Sequence, residues 1–244
     1  VVSTQELLDR VRSGDREAAE DLFAECHPPA RRTLAALIGD DERAEKAVDE
    51  LFRQARAVMR RWPESVDPVN WCYHRAVLAA RRFGGGRHED VADDPLVRAL
   101  PIELRSPAYL AMIRALRRLG GQRAEAFILH HGERLNPRLL GVAMDCSAAA
   151  AATHLSAADT HIRALTQDQF DQLTEHLRRA VVGLTPPPAV SRQFAQAQAR
   201  AWAVKQAGIG LGRLLRTLLL LSLLAGLVWA AVRWLPAIRQ ATEW

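Results

Sequence analysis

Apolar positions recur at helical spacing in one segment after another. Leu7, Leu8 and Val11 follow a Ser3-x-x-Glu6 capping box and predict a first helix that breaks at Gly14-Asp15. Ala18, Ala19, Leu22, Phe23 and Cys26 carry the next stripe to Pro28-Pro29, and Leu34, Leu37 and Ile38 continue it to Gly39. The clearest stripe, Ala44, Ala47, Val48, Leu51, Phe52, Ala55, Val58, Met59 and Trp62, predicts a long central helix over 41–62, stopped by Pro63. A further helix from about Asp67 carries Trp71, Cys72, Tyr73, Ala76 and Ala79 up to Arg81-Arg82-Phe83 and a run of glycines.

From Gly84 to about Ser106, Gly, Asp and Pro mix without sustained periodicity, which places a domain boundary there. Helical signals then cover 109–119, 122–131 and 137–144, and the turn Asp145-Cys146-Ser147 leads into an Ala-rich helix from Ala148. Two short helices around a tight turn predict a helix-turn-helix. Another helix runs to about Val182, Thr185-Pro186-Pro187-Pro188 makes a stiff joint, and a basic helix starts near Ser191.

Residues 217–232 are sixteen positions without a charge, about 24 Å of helix against a hydrocarbon core of about 30 Å. With Arg216 snorkelling, a span from Leu211 to Val232 reaches about 33 Å. The resulting expectation is an all-α chain of two small helical domains and a C-terminal transmembrane helix. The units are 1–88, a linker 89–107, 108–166, a helical and Pro-rich juxtamembrane stretch 167–210, the span 211–234 and a tail 235–244.

Good helix formers dominate the composition, and few β-branched runs interrupt them. The net charge of +5 is modest, but its distribution is not. Between Glu175 and Glu243 there is no acidic residue, while nine basic ones fall there, seven before the apolar span and two after it. That asymmetry, with Trp229 and Trp234 near one end, predicts a single-pass protein of the cytoplasmic membrane with its N-terminal domains cytoplasmic. Three scattered cysteines without a C-x-x-C pair fit a reducing compartment, and the opening residues lack the pattern of a secretory signal.

Order and spacing over about residues 3–165 resemble the extracytoplasmic-function sigma factors, the smallest two-domain members of the bacterial sigma family. The carriers are Gly14-Asp15-Arg16-Glu17-Ala18-Ala19-Glu20-Asp21-Leu22-Phe23, the acidic stretch from Gly39 to Phe52, Trp71-Cys72-Tyr73-His74-Arg75-Ala76, and Ala115-Leu116-Arg117-Arg118-Leu119 through Arg123-Ala124-Glu125-Ala126-Phe127. The resemblance implies a region 2-like bundle followed by a region 4-like helix-turn-helix. It also implies two partners, core RNA polymerase and promoter DNA; the apolar span adds the membrane, a regulatory protein is a further expected partner, and no nucleophile-base set, cofactor motif or metal-ligand spacing in the sequence points to catalysis, a cofactor or a metal.

On that resemblance Glu45, Asp49, Glu50 and Phe52 bind polymerase. The first three lie on the polar side of their helix, where they read equally as carboxylates for a basic partner or as a solvated face. Promoter DNA falls to Arg61, Trp71, Tyr73, His74, Arg75, Arg81 and Arg82, where cations for phosphates stand beside aromatics able to stack on a base. Trp71 also reads as a core residue, and Val77 and Leu78 replace polar positions typical of the family.

In the second domain DNA contacts fall to Arg138, Ser147, Thr153, His154 and Ser156. Family members usually present Lys and Arg on the recognition helix, whereas this one runs Ala148-Ala149-Ala150-Ala151-Ala152 and the charge over 137–165 is zero. Promoter binding there is expected to be weak or lost. Cys26-His27, Cys72-x-His74 and His130-His131 lack the count and spacing of a zinc site, and Gly208-x-Gly210-x-Gly212 is followed by no Lys-Ser/Thr. Two functions remain: a membrane-tethered initiation factor, or a sigma-derived module serving as a membrane-bound scaffold or regulator.

Overall fold

The structure, a computed structural model, describes residues 4–59, 62, 66–84 and 91–241, with side chains in the last helix described for 188–205 and 215–229. Among the described residues every regular element is helical. The α-helices are α1 (Thr4–Ser13), α2 (Arg16–Ile38), α3 (Asp41–Val58), α4 (Pro68–Phe83), α5 (Pro95–Arg98), α6 (Pro107–Arg118), α7 (Gly121–Phe127), α8 (Pro137–Met144), α9 (Ala148–Thr166), α10 (Phe170–Gly183) and α11 (Pro188–Ala241). Short 3₁₀ turns lie at Val91–Asp93, Ile102–Leu104 and Gln167–Gln169, and a π-helical turn, Ile128–Gly132, extends α7.

Side-chain caps set most starts. Asp15, Asp40, Asp67, Asp94, Ser106, Asn136 and Ser147 each accept from a backbone N–H of the turn they open. Gly39 closes α2 in the left-handed conformation. The prolines at 28 and 29 do not break α2, which runs through both. They remove two backbone donors, yet Pro29 and Ala30 are buried and the flanking stripe is packed on both sides, so tertiary contacts outweigh the local cost.

The chain divides into two compact units, Val1–Ala199 and Arg200–Trp244. In the first, the stretch expected as linker takes part in the core. Leu96, Val97 and Leu100 pack with Tyr109, Met112, Ile113, Leu116, Phe127, Ile162 and Leu177, and Ala36 of α2 joins them. A second cluster places Tyr73 and Val77 of α4 among Leu129, Leu135, Leu140, Met144 and Ala151.

The second unit is the continuation of α11. Leu215, Leu218, Leu219, Leu220, Leu221, Leu223, Leu224, Leu227, Val228 and Trp229 are all exposed there. Among the described residues no helix is long and apolar enough to cross a membrane. Residues 211–214 and 230–234 of the expected span, Trp234 among them, lie outside the described side chains, as do Ser3 of the capping box and Arg61.

Candidate functional site

Asp41, Glu45, Asp49, Phe52 and Arg56 fall on one face of α3, because steps of three and four residues bring side chains back to the same line. Glu45 and Asp49 are exposed, and Arg31 Nε donates to Glu45 Oε1 at 2.5 Å. Glu50, beside this line, accepts from Arg53 at 2.6 to 2.8 Å and from Gln54 Nε2 at 2.6 Å, with Arg82 Nη1 3.9 Å away. Those donors, Arg53 first, hold its carboxyl below the usual range.

Phe52 is wholly buried. Its ring lies 5.6 Å from Phe23 and, edge to face, 4.9 Å from Phe194 of α11. Phe194 stacks on His27 at 4.2 Å, and His27 Nδ1 shares a 3.1 Å hydrogen bond with Ser191 Oγ. Arg56 donates to Gln198 Oε1. The face of α3 is therefore covered by the first turns of α11 at its C-terminal end, while at the other end Asp41 pairs with Arg31 and Arg98, Glu45 pairs with Arg31, and Asp49 is exposed.

The residues assigned to single-stranded DNA gather on α4, and most have partners within the protein. Trp71 packs on Trp62 at 4.7 Å with the Arg75 guanidinium 5.7 Å from its centroid, and Arg75 Nη2 donates to Gln54. His74 is half-buried, and its Nδ1 has no hydrogen-bond partner among the described residues. Tyr73 is buried and donates to Glu133 Oε2 at 3.0 Å; burial, then that carboxylate, pushes its phenol well above the usual value. Arg81 forms a two-point pair with Glu125, and Arg82 is exposed with Glu50 Oε1 3.9 Å from its Nη1.

Sequence reasoning missed three buried acids that fasten the helices. Glu133, with a side chain only 1% exposed, accepts from Arg32, Thr33 and Tyr73. Asp94 accepts from Arg117 at 2.6 and 3.0 Å, and Arg117 Nη1 donates to the carbonyls of Ala36 and Leu37 at the end of α2. Glu125 is the third. It stands one turn before Leu129 on the same apolar face, and an acid in such a stripe signals a partnered buried charge.

In the helix-turn-helix, Asp145 adopts the left-handed conformation and Ser147 caps α9, accepting from Ala150 N at 3.1 Å. A Cβ on Gly141 would come within 2.9 Å of the Cys146 carbonyl oxygen and 3.0 Å of Ala148 N, so glycine lets α8 approach the turn. The outward side of α9 presents Ala148, Ala149, Ala152, Thr153 and Ser156, with His154 half-buried. Thr153 Oγ1 donates to the Ala149 carbonyl. Asp159 is turned to His131 Nε2 at 2.8 Å, and Arg138 is exposed on the first turn of α8. Among the described residues no group of His, Cys, Asp and Glu forms a metal site.

Comparison with family models, curated proteins and solved structures finds no match to this chain.

Proposed function

We propose that the chain is a membrane-tethered, sigma-like transcription initiation factor that engages core RNA polymerase through α3. The observation that carries this reading is the exposed Asp49, with Glu45 exposed beside its Arg31 partner, in the segment that resembles the polymerase-binding helix of extracytoplasmic-function sigma factors. A basic coiled-coil surface is its electrostatic complement. Membrane tethering draws support from the exposed large apolar side chains over residues 215–229, which form too large an apolar surface for a helix meant to face water.

A second reading, a sigma-derived scaffold or regulator without promoter recognition, is favoured by α9. Its outward alanines donate no hydrogen bonds to base edges, and Tyr73 and Arg81 are engaged inside the protein. Capture of core polymerase separates the two. The full chain in detergent should retain core subunits, and Asp49→Arg, at an exposed position, should reduce capture several-fold, on the order of 1 kcal/mol, without moving the melting curve, since exposed charge reversals change stability little. Absence of capture by the wild type rejects the first reading.

A further inference from the structure

We propose that residues 188–199 of α11 are an intramolecular competitor for the polymerase-facing side of α3, occupying the half of that surface which must be free for full engagement. This rests on the polymerase-binding reading above. Glu45, Asp49, Phe52 and Arg56 form one line along α3; the first two are exposed, while Phe52 is covered and Arg56 is half-buried. Phe194 seats against the rings of Phe52 and His27, and Gln198 accepts from Arg56. Ser191 ties the first turn of α11 to His27 of α2.

The cover is made mostly of small or polar side chains. Ser191, Ala195, Gln198 and Ala199 are buried and Phe194 is half-exposed, with the large buried side chain of this face, Trp202, lying one turn beyond the segment. A partner helix carrying larger apolar side chains would bury more surface against Phe52 than residues 188–199 do, and its gain must also exceed what buried Trp202, one turn further along α11, contributes. The segment follows Thr185-Pro186-Pro187 and opens α11, which continues to Ala241. A binding face that is open one tenth of the time weakens apparent affinity about tenfold.

The test uses the full chain in detergent, wild type against Phe194→Asp and Gln198→Ala. It reads capture of core polymerase together with hydrogen exchange over residues 188–199. Phe194→Asp sets a charge against two rings and should raise capture about tenfold. Gln198→Ala removes only the Arg56 contact and should raise capture about twofold; it carries the comparison if Phe194→Asp lowers the melting temperature of the whole fold. In the wild type, residues 188–199 should exchange slowly alone and quickly once polymerase is bound. Equal capture by all three proteins, with 188–199 still protected in the complex, makes the segment a permanent part of the fold and overturns the competition while polymerase binding stands. Capture by none of them, with exchange over 188–199 fast only in Phe194→Asp, overturns the polymerase reading and this proposal with it.

Discussion

Arg81 and Glu125 meet in a two-point pair, Nε to Oε1 at 2.9 Å and Nη2 to Oε2 at 2.7 Å, joining α4 to α7. The same guanidinium donates to the Met144 carbonyl at the end of α8. An arginine placed by resemblance at promoter phosphates thus also fastens the first helices to the helix-turn-helix. Glu125→Gln should cost about 2 kcal/mol in urea unfolding, below the usual loss for breaking a buried pair because Arg81 is one-third exposed and can turn to water. Arg81→Met with Glu125→Leu should recover most of that loss. If the double variant is instead the less stable, the pair does more than satisfy its own charges.

His27 links α2 to the start of α11 and is held down to about 4 from 6.5, by burial first and then by Arg31. In the unfolded chain it titrates near its ordinary value, so between those two limits only the unfolded state gains the proton. Stability is therefore complete above about pH 6.5 and falls as pH drops toward 4, by about 2 kcal/mol at pH 5. His131, also lowered by burial, acts with the same sign. The contribution of His27 is read as the difference between wild type and His27→Gln, whose urea stability should lose less on moving from pH 7 to pH 5. Parallel losses in the two proteins would remove His27 from the acid response.

Gly141→Ala tests the helix-turn-helix. The added methyl meets backbone atoms of the turn, which cannot rotate away as a flexible side chain could. A loss of about 2 kcal/mol or more is expected, with exchange accelerated first across α8 and the N-terminal turn of α9. A change within 0.5 kcal/mol would mean that the two helices separate at little cost.

The helices themselves were legible because caps and apolar stripes are local signals. The starts expected at Asp41, about Asp67 and Ala148 match α3, α4 and α9, and the end expected at Gly39 closes α2, whereas α3 ends at Val58 rather than Trp62. The role of residues 91–104 was hidden because Leu96, Val97 and Leu100 lie in turns too short to show a period, and their packing partners are distant in sequence. The cover on α3 had a signal that went unused. Ser191, Phe194, Ala195, Gln198 and Ala199 fall at helical spacing, but polar and small residues hide a buried face from a reading that seeks large apolar ones. Phe52 carried no mark that its outward side is closed by a segment more than a hundred residues away.

The membrane orientation has a direct test. With Arg213 and Arg216 cytoplasmic, Glu243→Cys should react with an impermeant thiol reagent on intact cells, whereas the native cysteines should stay silent until lysis. Cys26 and Cys72 are buried and Cys146 is half-buried, which keeps the background low. Labelling at position 243 only after lysis would reverse the orientation or remove the span.

Recognition by α9 is the last test. Its outward side offers alanine methyls, which can touch a thymine methyl but not pair with base edges, and Asp159, its one acid, is hydrogen-bonded to His131 Nε2. Binding of the full chain to duplex DNA should therefore lack sequence preference and stay in the non-specific range of about 10⁻⁴ to 10⁻⁶ M at physiological salt. Ala149→Arg with Ala152→Arg adds two cations on an exposed side of the helix, away from the α8 contact. If that side can approach a duplex, affinity should rise and the slope of log K against log salt should steepen by about 0.9 for each phosphate engaged, nearly 2 in all. An unchanged slope would mean that α9 cannot reach the groove in this fold. Selective wild-type binding to one duplex sequence would show that the alanine helix reads bases after all, and promoter recognition would return to the second domain.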